Sequence, residues 1–158
     1  MKLEGPTQYR LSRDESRPTG LFTIVDNEGK AKFAYPATST LPKLYIVTVD
    51  GEEAPVYVGI TRQSMRSRLR YGWTADGRHG YHGYRWRDHP IGLRLDVWCD
   101  VDPTSNPPDL DIETLEAEIV FLIREKGQWP RYQTEIHFHP STPEHRDAAR
   151  TIVSRYFP

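Results

Sequence analysis

Two tyrosines, a row of arginines and several glutamates are the side chains of this 158-residue sequence with the greatest capacity for chemistry. Tyr45 and Tyr57 lie in two short apolar segments, arginines recur over residues 62–70, and the glutamates lie in an amphipathic segment over residues 112–126. A guanidinium matches phosphate oxygens, a carboxylate can hold Mg²⁺ beside waters and phosphate, and a phenol can transfer a proton. These residue types therefore favour attack on a phosphate ester, provided that the fold brings them together.

The charged side chains form two blocks of opposite sign, although the net charge is only -1. Residues 60–89 carry seven arginines and two aspartates, with tyrosine, tryptophan and histidine between them. Residues 96–118 carry eight acids and no lysine or arginine. Arginine with interleaved aromatic rings suits contact with phosphates and bases. Two solvated surfaces of opposite charge would explain the same pattern without any ligand.

The composition is that of one globular domain, with 37% hydrophobic and 27% charged residues. No segment approaches the roughly 20 apolar residues of a membrane helix, and the first residues lack the apolar core of a signal peptide. We therefore expect a cytoplasmic protein without a membrane partner. The single cysteine, Cys99, can form neither an internal disulfide nor a thiolate zinc cluster, and its apolar neighbours predict a buried thiol.

A hairpin and a helix must position the tyrosines and arginines. Residues 44–49 and 56–60 are rich in β-branched and aromatic residues and predict two paired strands. A helix is expected over residues 62–71, with Thr61 as its N-cap. Residues 72–90 are rich in glycine and histidine and predict a loop that contains a short helix.

The remaining elements complete an α/β fold. A strand is predicted over residues 93–101, and the clearest helix spans residues 112–126. A last helix over residues 143–156 is expected to begin at the cap Thr142. The predicted fold is a small, mainly antiparallel sheet flanked by helices.

The N-terminal region carries weaker signals. Residues 1–20 are polar and without a clear period, which predicts an irregular arm. Residues 21–25 and 30–35 flank a glycine-containing turn and predict an added β-hairpin. Residues 21–158 are then a single domain.

Four short motifs resemble those of the GIY-YIG nuclease superfamily, which includes intron homing endonucleases, incision nucleases of nucleotide excision repair and some restriction enzymes. They are Lys43-Leu44-Tyr45, Tyr57-Val58-Gly59, Met65-Arg66-Ser67-Arg68 and Pro130-Arg131-Tyr132-Gln133. Lysine and leucine replace the usual glycine and isoleucine of the first motif, and glutamine replaces the asparagine that closes the last. The resemblance spans about residues 41–133, and it implies that this part is a nuclease-like core.

The resemblance implies roles for an arginine and a glutamate. Arg68 corresponds to the catalytic arginine of the family, with Arg66 as the alternative if the register is shifted. The spacing to the closing motif favours Glu118, rather than Glu113 or Glu116, as the catalytic carboxylate and metal ligand. The implied cofactor is Mg²⁺ or Mn²⁺.

The resemblance also implies that Tyr57 is the general base and that Tyr45 orients the attacking water. His82, within Gly-Tyr-His-Gly-Tyr-Arg, resembles a histidine that some members use as an alternative base or phosphate contact, and His79 is nearly as eligible. The side chains expected to contact the substrate are Arg62, Arg66, His79, Arg85 and Gln133.

The function expected from this resemblance is that of a metal-dependent endonuclease acting on DNA, while an RNA substrate stays open. Such a core cuts one strand at a time, so cleavage of both strands would require a homodimer, a targeting partner protein or two successive events. Two other functions compete with this one: a catalytically inactive nucleic-acid-binding module of the same fold, and a protein-interaction domain that uses the acidic residues 96–111.

The remaining candidate residues are two histidines and two tryptophans. His137 and His139 lie two residues apart in a predicted strand and could bind zinc, but the sequence indicates no third ligand. Trp98 and Trp129 are expected in the core.

Overall fold

The fold is known from a computed structural model that describes residues 1–16, 21–89 and 92–158. Over these ranges, all strand pairs are antiparallel and the five strands form one sheet in the order β2-β1-β5-β3-β4. The strands are β1 (Leu3–Arg13), β2 (Phe22–Asp26), β3 (Lys43–Val49), β4 (Tyr57–Thr61) and β5 (Leu93–Asp100). The helices are α1 (Met65–Thr74), α2 (Leu110–Glu125) and α3 (Pro143–Val153), with short 3-10 turns at Arg78–Gly80 and Arg85–Asp88. The protein is therefore an α/β fold with an antiparallel sheet, as expected.

Helices cover both faces of the sheet. Successive side chains of a strand point to opposite faces, so Tyr45 and Val47 of β3 pack with α1, whereas Leu44 and Ile46 pack with α2 and α3. Every residue of β3 is buried. Because β4 is the last strand on its side, the molecule has one sheet edge that lies between α1 on one face and α2 on the other.

The predicted pairing of β3 with β4 is confirmed, and a glycine allows their close packing. Tyr45 is directly opposite Gly59. A Cβ atom at Gly59 would lie 2.6 Å from Cζ of Tyr45 and 2.6 Å from Cε1 of Tyr57. Any larger residue at this position would push the two phenol rings apart.

Helix α1 begins three residues later than expected. Its N-cap is Ser64, whose hydroxyl accepts a hydrogen bond from the backbone N–H of Ser67 at 3.3 Å. The predicted cap, Thr61, is the last residue of β4. Arg62 consequently lies in the connection before the helix rather than within it.

The lysine that opens the first motif is buried and holds this connection. Lys43 is 0% exposed. Its ammonium group donates to the backbone carbonyls of Ser39 and Leu41, both at 2.7 Å, and of Gln63 at 3.1 Å. Burial lowers the pKa of Lys43. Three carbonyl acceptors satisfy the three N–H groups, and they join β3 to the turn that leads into α1.

The later elements agree with their predictions. Strand β5 and helix α2 lie within two residues of the expected positions, whereas α3 begins as expected but ends at Val153 rather than at residue 156. Thr142 caps α3 in a reciprocal arrangement in which its hydroxyl accepts from the backbone N–H of His145. In the part of the chain that the structure describes, no helix has the length and apolar character needed to cross a membrane.

The N-terminal prediction was wrong in two respects. The expected irregular arm contains β1, which lies inside the sheet between β2 and β5. The expected partner of β2, residues 30–35, contains no strand, and β2 pairs with β1 instead. The alternation of β1 is interrupted by a register irregularity next to Pro6, which hides the strand signal. Residues 17–20 of the expected arm lie outside the described residues.

The predicted burial of Trp98 and Cys99 is confirmed, whereas that of Trp129 is wrong. Trp98 and Cys99 are buried, and burial raises the pKa of the Cys99 thiol to about 11. Trp129 was expected in the core but is 47% exposed, with the guanidinium of Arg124 lying 5.0 Å from the centre of its ring. The segment around His137 is not a strand.

Candidate active site

A cleft of about 370 Å³ opens at the edge strand β4. It lies between α1, α2 and the segment that follows α2, so residues far apart in the sequence share its walls. The cleft is lined by Tyr57, Ile60, Arg68, Tyr81, Gly83, Tyr84, Arg85, Glu113, Glu116, Tyr132, Thr134, Glu135 and His137.

Arg68 is the arginine of α1 that reaches this cleft. Its Nε–H donates to the hydroxyl of Tyr45 at 3.4 Å, and its guanidinium lies 5.3 Å from the centre of the Tyr84 ring. Arg66 is two residues earlier, about 200° around the helix, and its guanidinium lies over Phe33 instead. The structure therefore distinguishes the two candidate arginines and brings Arg68, not Arg66, to the cleft.

The two predicted tyrosines have different environments. Tyr57 lines the cleft, whereas Tyr45 is 0% exposed and lies behind it. The ring centres are 5.9 Å apart. Burial raises the pKa of both phenols. Both are therefore protonated at neutral pH, and Tyr45 cannot touch a water molecule in the cleft in the way that the resemblance implies.

Glu116 lines the cleft, whereas Glu118, the carboxylate favoured by the motif spacing, does not. Glu116 and Glu113 lie on the side of α2 that faces the cleft. Glu118 is about 200° around the helix from Glu116, one turn before Leu122, which lines a groove against α3. Glu118 is therefore on the wrong side of α2 to bind a metal ion beside Arg68.

Glu116 is suited to a bound cation. It is 6% exposed and forms no salt bridge with any residue in the described ranges. Burial raises its pKa to about 8, the charge of Glu113 adds to this effect, and Gln133 and Arg68 oppose it. A cation close to a buried carboxyl group favours its charged form. The described residues contain no cluster of three or more metal-ligating side chains, so one carboxylate, waters and a phosphate would have to complete the coordination.

Gln133 connects the walls of the cleft. Its side-chain carbonyl accepts from the backbone N–H of Val58 at 3.0 Å, and its amide N–H donates to the carbonyl of Glu135 at 3.3 Å. A hydrogen bond from Gln133 also lowers the pKa of Glu116. Gln133 was expected to contact the substrate, but it does not line the cleft, and its amide group bonds to Val58 and Glu135.

The two predicted histidines are not in the cleft. His82 is exposed and packs against Gly77, where an added Cβ atom would lie 2.8 Å from the imidazole. His79 is also exposed and has a positive φ of 56°. The histidine that lines the cleft is His137, whose Nε2 lies 3.3 Å from a carboxylate oxygen of Glu135.

His139 and Glu113 form a pair beside this cleft, with 2.8 Å between Nε2 and a carboxylate oxygen. His137 and His139 thus each lie against a different carboxylate. The described residues supply no further ligand that would complete the zinc site considered for these two histidines.

The predicted substrate-binding arginines are exposed, but only Arg85 lines the cleft. Arg62 precedes α1 and Arg66 faces Phe33, as described above. A neighbouring arginine has a structural role: Arg87 donates to the carbonyls of Gly72, Trp73 and Ala75 at 3.2, 3.2 and 3.0 Å. These bonds satisfy carbonyl groups at the C-terminal end of α1.

Of the residues that line the cleft, the sequence assigned no role in phosphate chemistry to Tyr81, Tyr84 and His137, the last of which was considered only as a zinc ligand. The first two were noted only as aromatic residues among arginines, and nothing in their spacing indicates which rings face the cleft. The spacing to the closing motif favours Glu118 over Glu116 and Glu113, but spacing does not show which side of α2 faces the cleft.

No protein-family model matches the sequence, and no curated protein or solved structure is significantly similar to it. The comparisons therefore neither support nor oppose the resemblance to GIY-YIG nucleases.

Proposed function

We propose that this protein is a metal-dependent endonuclease of the GIY-YIG type that hydrolyses phosphodiester bonds in DNA. The observation that carries the proposal is the meeting of Tyr57, Arg68 and Glu116, from β4, α1 and α2, in one cleft. Phosphoryl transfer depends mainly on positioning and on the stabilisation of negative charge. A guanidinium, a carboxyl group and a phenol around one cavity can provide both to a single phosphate.

Arg68 would bind the phosphate and stabilise the charge that develops on it. The hydroxyl of Tyr45 and the ring of Tyr84 hold its guanidinium in place, and a fixed guanidinium loses little freedom when it binds phosphate oxygens. Tyr57 is protonated in the free protein because burial raises its pKa. It would therefore donate a hydrogen bond, and it could act as a base only when positive charge nearby stabilises the phenolate.

Glu116 would hold Mg²⁺ or Mn²⁺, which supplies positive charge at the leaving oxygen. Since the pKa of Glu116 is about 8, this carboxyl group carries a proton in the free protein at neutral pH and must release it to bind the ion. Affinity for the cation is consequently expected to rise as the pH approaches 8.

The first experiment is incubation of the protein with supercoiled and single-stranded DNA in Mg²⁺, Mn²⁺ or a chelator, with an RNA strand in parallel. We expect cutting that requires the metal and that falls by at least about a hundredfold in Arg68→Ala and Glu116→Gln. The matched controls are Arg66→Ala and Glu118→Gln, which change the same residue types on the opposite sides of the same helices. These controls should retain activity.

The other outcomes identify the competing functions. Binding to DNA without cutting by the unaltered protein would indicate an inactive nucleic-acid-binding module. Negligible affinity for DNA even at low salt, where phosphate contacts are strongest, would favour a protein-interaction domain. Nicked circles that become linear only at high protein concentration would indicate that two copies cut the two strands.

A further inference from the structure

Tyr84 is the phenol that connects the buried Tyr45 to the cleft. The two hydroxyl oxygens are 2.9 Å apart, and Tyr84 lines the cleft while Tyr45 does not. The hydroxyl of Tyr45 also accepts the Nε–H of Arg68. If Tyr45 donates to Tyr84, the proton of the Tyr84 hydroxyl is left to point toward a ligand, and Arg68, Tyr45 and Tyr84 form one hydrogen-bonded chain.

The ring of Tyr84 takes the place of a side chain on α1. Gly72 lies one turn after Arg68, and a Cβ atom at Gly72 would be 2.0 Å from Cε2 of Tyr84. The ring therefore lies where α1 would place its own side chain next to Arg68. A loop residue thus supplies the functional group that the helix lacks at this position.

Several contacts fix this ring. The backbone N–H of Tyr84 donates to the carbonyl of Gly72 at 3.0 Å. The ring stacks on Trp86 with 4.3 Å between the ring centres and 24° between the planes. Gly83, immediately before it, has a φ of +74° that favours glycine. Contacts to its backbone N–H, to one face of its ring and to its hydroxyl therefore hold Tyr84 in place.

We infer that Tyr84 is a further catalytic residue, whose hydroxyl contacts the scissile phosphate or the attacking water beside Arg68, and that Tyr45 is a positioning residue that acts through Tyr84 as well as through Arg68. This inference rests on the proposed nuclease function. It assigns to Tyr84 the role in the cleft that the resemblance gave to Tyr45 and His82.

The test compares Tyr84→Phe, Tyr45→Phe and the double variant with Tyr71→Phe as control. Tyr71 lies on the same helix as Arg68, is 53% exposed and does not line the cleft. We expect Tyr84→Phe to lower kcat at least about tenfold with KM changed less than about twofold. The double variant should lose less activity than the product of the two single losses, because Tyr45 orients the Tyr84 hydroxyl in addition to holding Arg68.

Thermal unfolding and near-ultraviolet circular dichroism of each variant separate these effects from loss of structure. Tyr84→Phe with kcat within about twofold of the unaltered protein would overturn the inference. So would losses that multiply in full in the double variant, because they would mean that Tyr45 acts on Arg68 alone and not through Tyr84.

A second measurement does not depend on cleavage. Protein labelled with 3-fluorotyrosine is titrated with a DNA duplex in Ca²⁺, and the ¹⁹F resonance of Tyr84 is identified by its absence from Tyr84→Phe. A shift of this resonance supports contact with the ligand even if no DNA is cut, in which case only the nuclease proposal fails. If the protein cuts DNA but the resonance of Tyr84 does not move, the inference is overturned and the nuclease proposal stands. If no DNA is cut and the resonance of Tyr84 does not move, both the inference and the nuclease proposal fail.

Discussion

The side-chain carbonyl of Gln133 accepts a hydrogen bond from the backbone N–H of Val58 at 3.0 Å. Val58 lies between Tyr57 and Gly59 on the edge strand β4, where this N–H has no further strand to bond. The same side chain also lowers the pKa of the carboxyl group of Glu116. One amide group therefore fixes the strand that carries the phenol relative to the helix that carries the carboxylate.

Substitution of Gln133 should separate stability from activity. Gln133→Ala leaves the Val58 N–H without its acceptor and is expected to lower the free energy of unfolding by about 1–2 kcal/mol. Gln133→Glu keeps an acceptor for Val58 but adds negative charge beside Glu116, so it should unfold at higher denaturant than Gln133→Ala and still cut DNA poorly. Urea unfolding and a nicking assay measure the two properties. Full activity in Gln133→Glu would contradict the positioning role.

Glu116 should make stability fall as the pH rises. Its pKa is about 8 in the folded protein against a usual 4.5, so between these values the folded state binds a proton that the unfolded state lacks, and the free energy of unfolding decreases with pH. The full effect of such a shift is roughly 5 kcal/mol. This decrease in the free energy of unfolding is absent below pH 4.5 and complete above pH 8.

Glu116→Gln should therefore be more stable than the unaltered protein at pH 9 and close to it at pH 5. Mg²⁺ should raise the unfolding temperature of the unaltered protein more at high pH than at low pH, and it should leave Glu116→Gln unchanged. Glu118→Gln serves as the control in both series. Equal pH profiles for the unaltered protein and Glu116→Gln would mean that this carboxyl group is not desolvated as described.

The site could be predicted from the sequence only as far as local patterns reach. The periodicity of their apolar residues predicts the β3–β4 hairpin and helices α1 and α2. Tyr57 and Arg68 lie on two of these elements. Periodicity shows which side of α2 is buried, but not which of the two flanks faces β4 and which faces α3. The difference between Glu116 and Glu118 is a choice between those flanks, and it depends on packing.

Two features depend on contacts between distant residues. Strand β1 is paired with β5, about ninety positions later in the chain, and no local signal specifies such a partner. Tyr84 reaches the side of Arg68 because the chain turns through Gly77 and Gly83, both with positive φ. The glycine content of this segment indicated a loop, but not which residue the loop would bring back to α1.

The effect of Gly72→Ala on stability should change sign when the ring of Tyr84 is removed. Gly72→Ala alone must move the Tyr84 ring, so it is expected to lower the unfolding temperature even though alanine favours a helix by about 1 kcal/mol over glycine. In the background of Tyr84→Ala the ring is absent, and Gly72→Ala should then be stabilising. Thermal unfolding of the four proteins measures the coupling. A destabilising effect of equal size in both backgrounds would show that the ring does not occupy this position.

The salt dependence of DNA binding should identify the surface that holds the substrate. Arg85 is exposed and lines the cleft, whereas Arg150 is exposed on α3 and paired with Asp147. Each phosphate contact contributes about 0.9 to the slope of log K against log salt for duplex DNA. Arg85→Ala is therefore expected to reduce that slope by about 1, and Arg150→Ala should leave it unchanged.

The measurement is fluorescence anisotropy of a labelled duplex over a salt series, with a chelator present so that no cutting occurs. The comparison of slopes is more informative than that of affinities, because a lost contact and a small structural change both weaken binding but only the lost phosphate contact changes the number of released ions. If Arg150→Ala reduces the slope and Arg85→Ala does not, the DNA lies on the α3 side of the molecule. The cleft at β4 would then not be where the substrate binds.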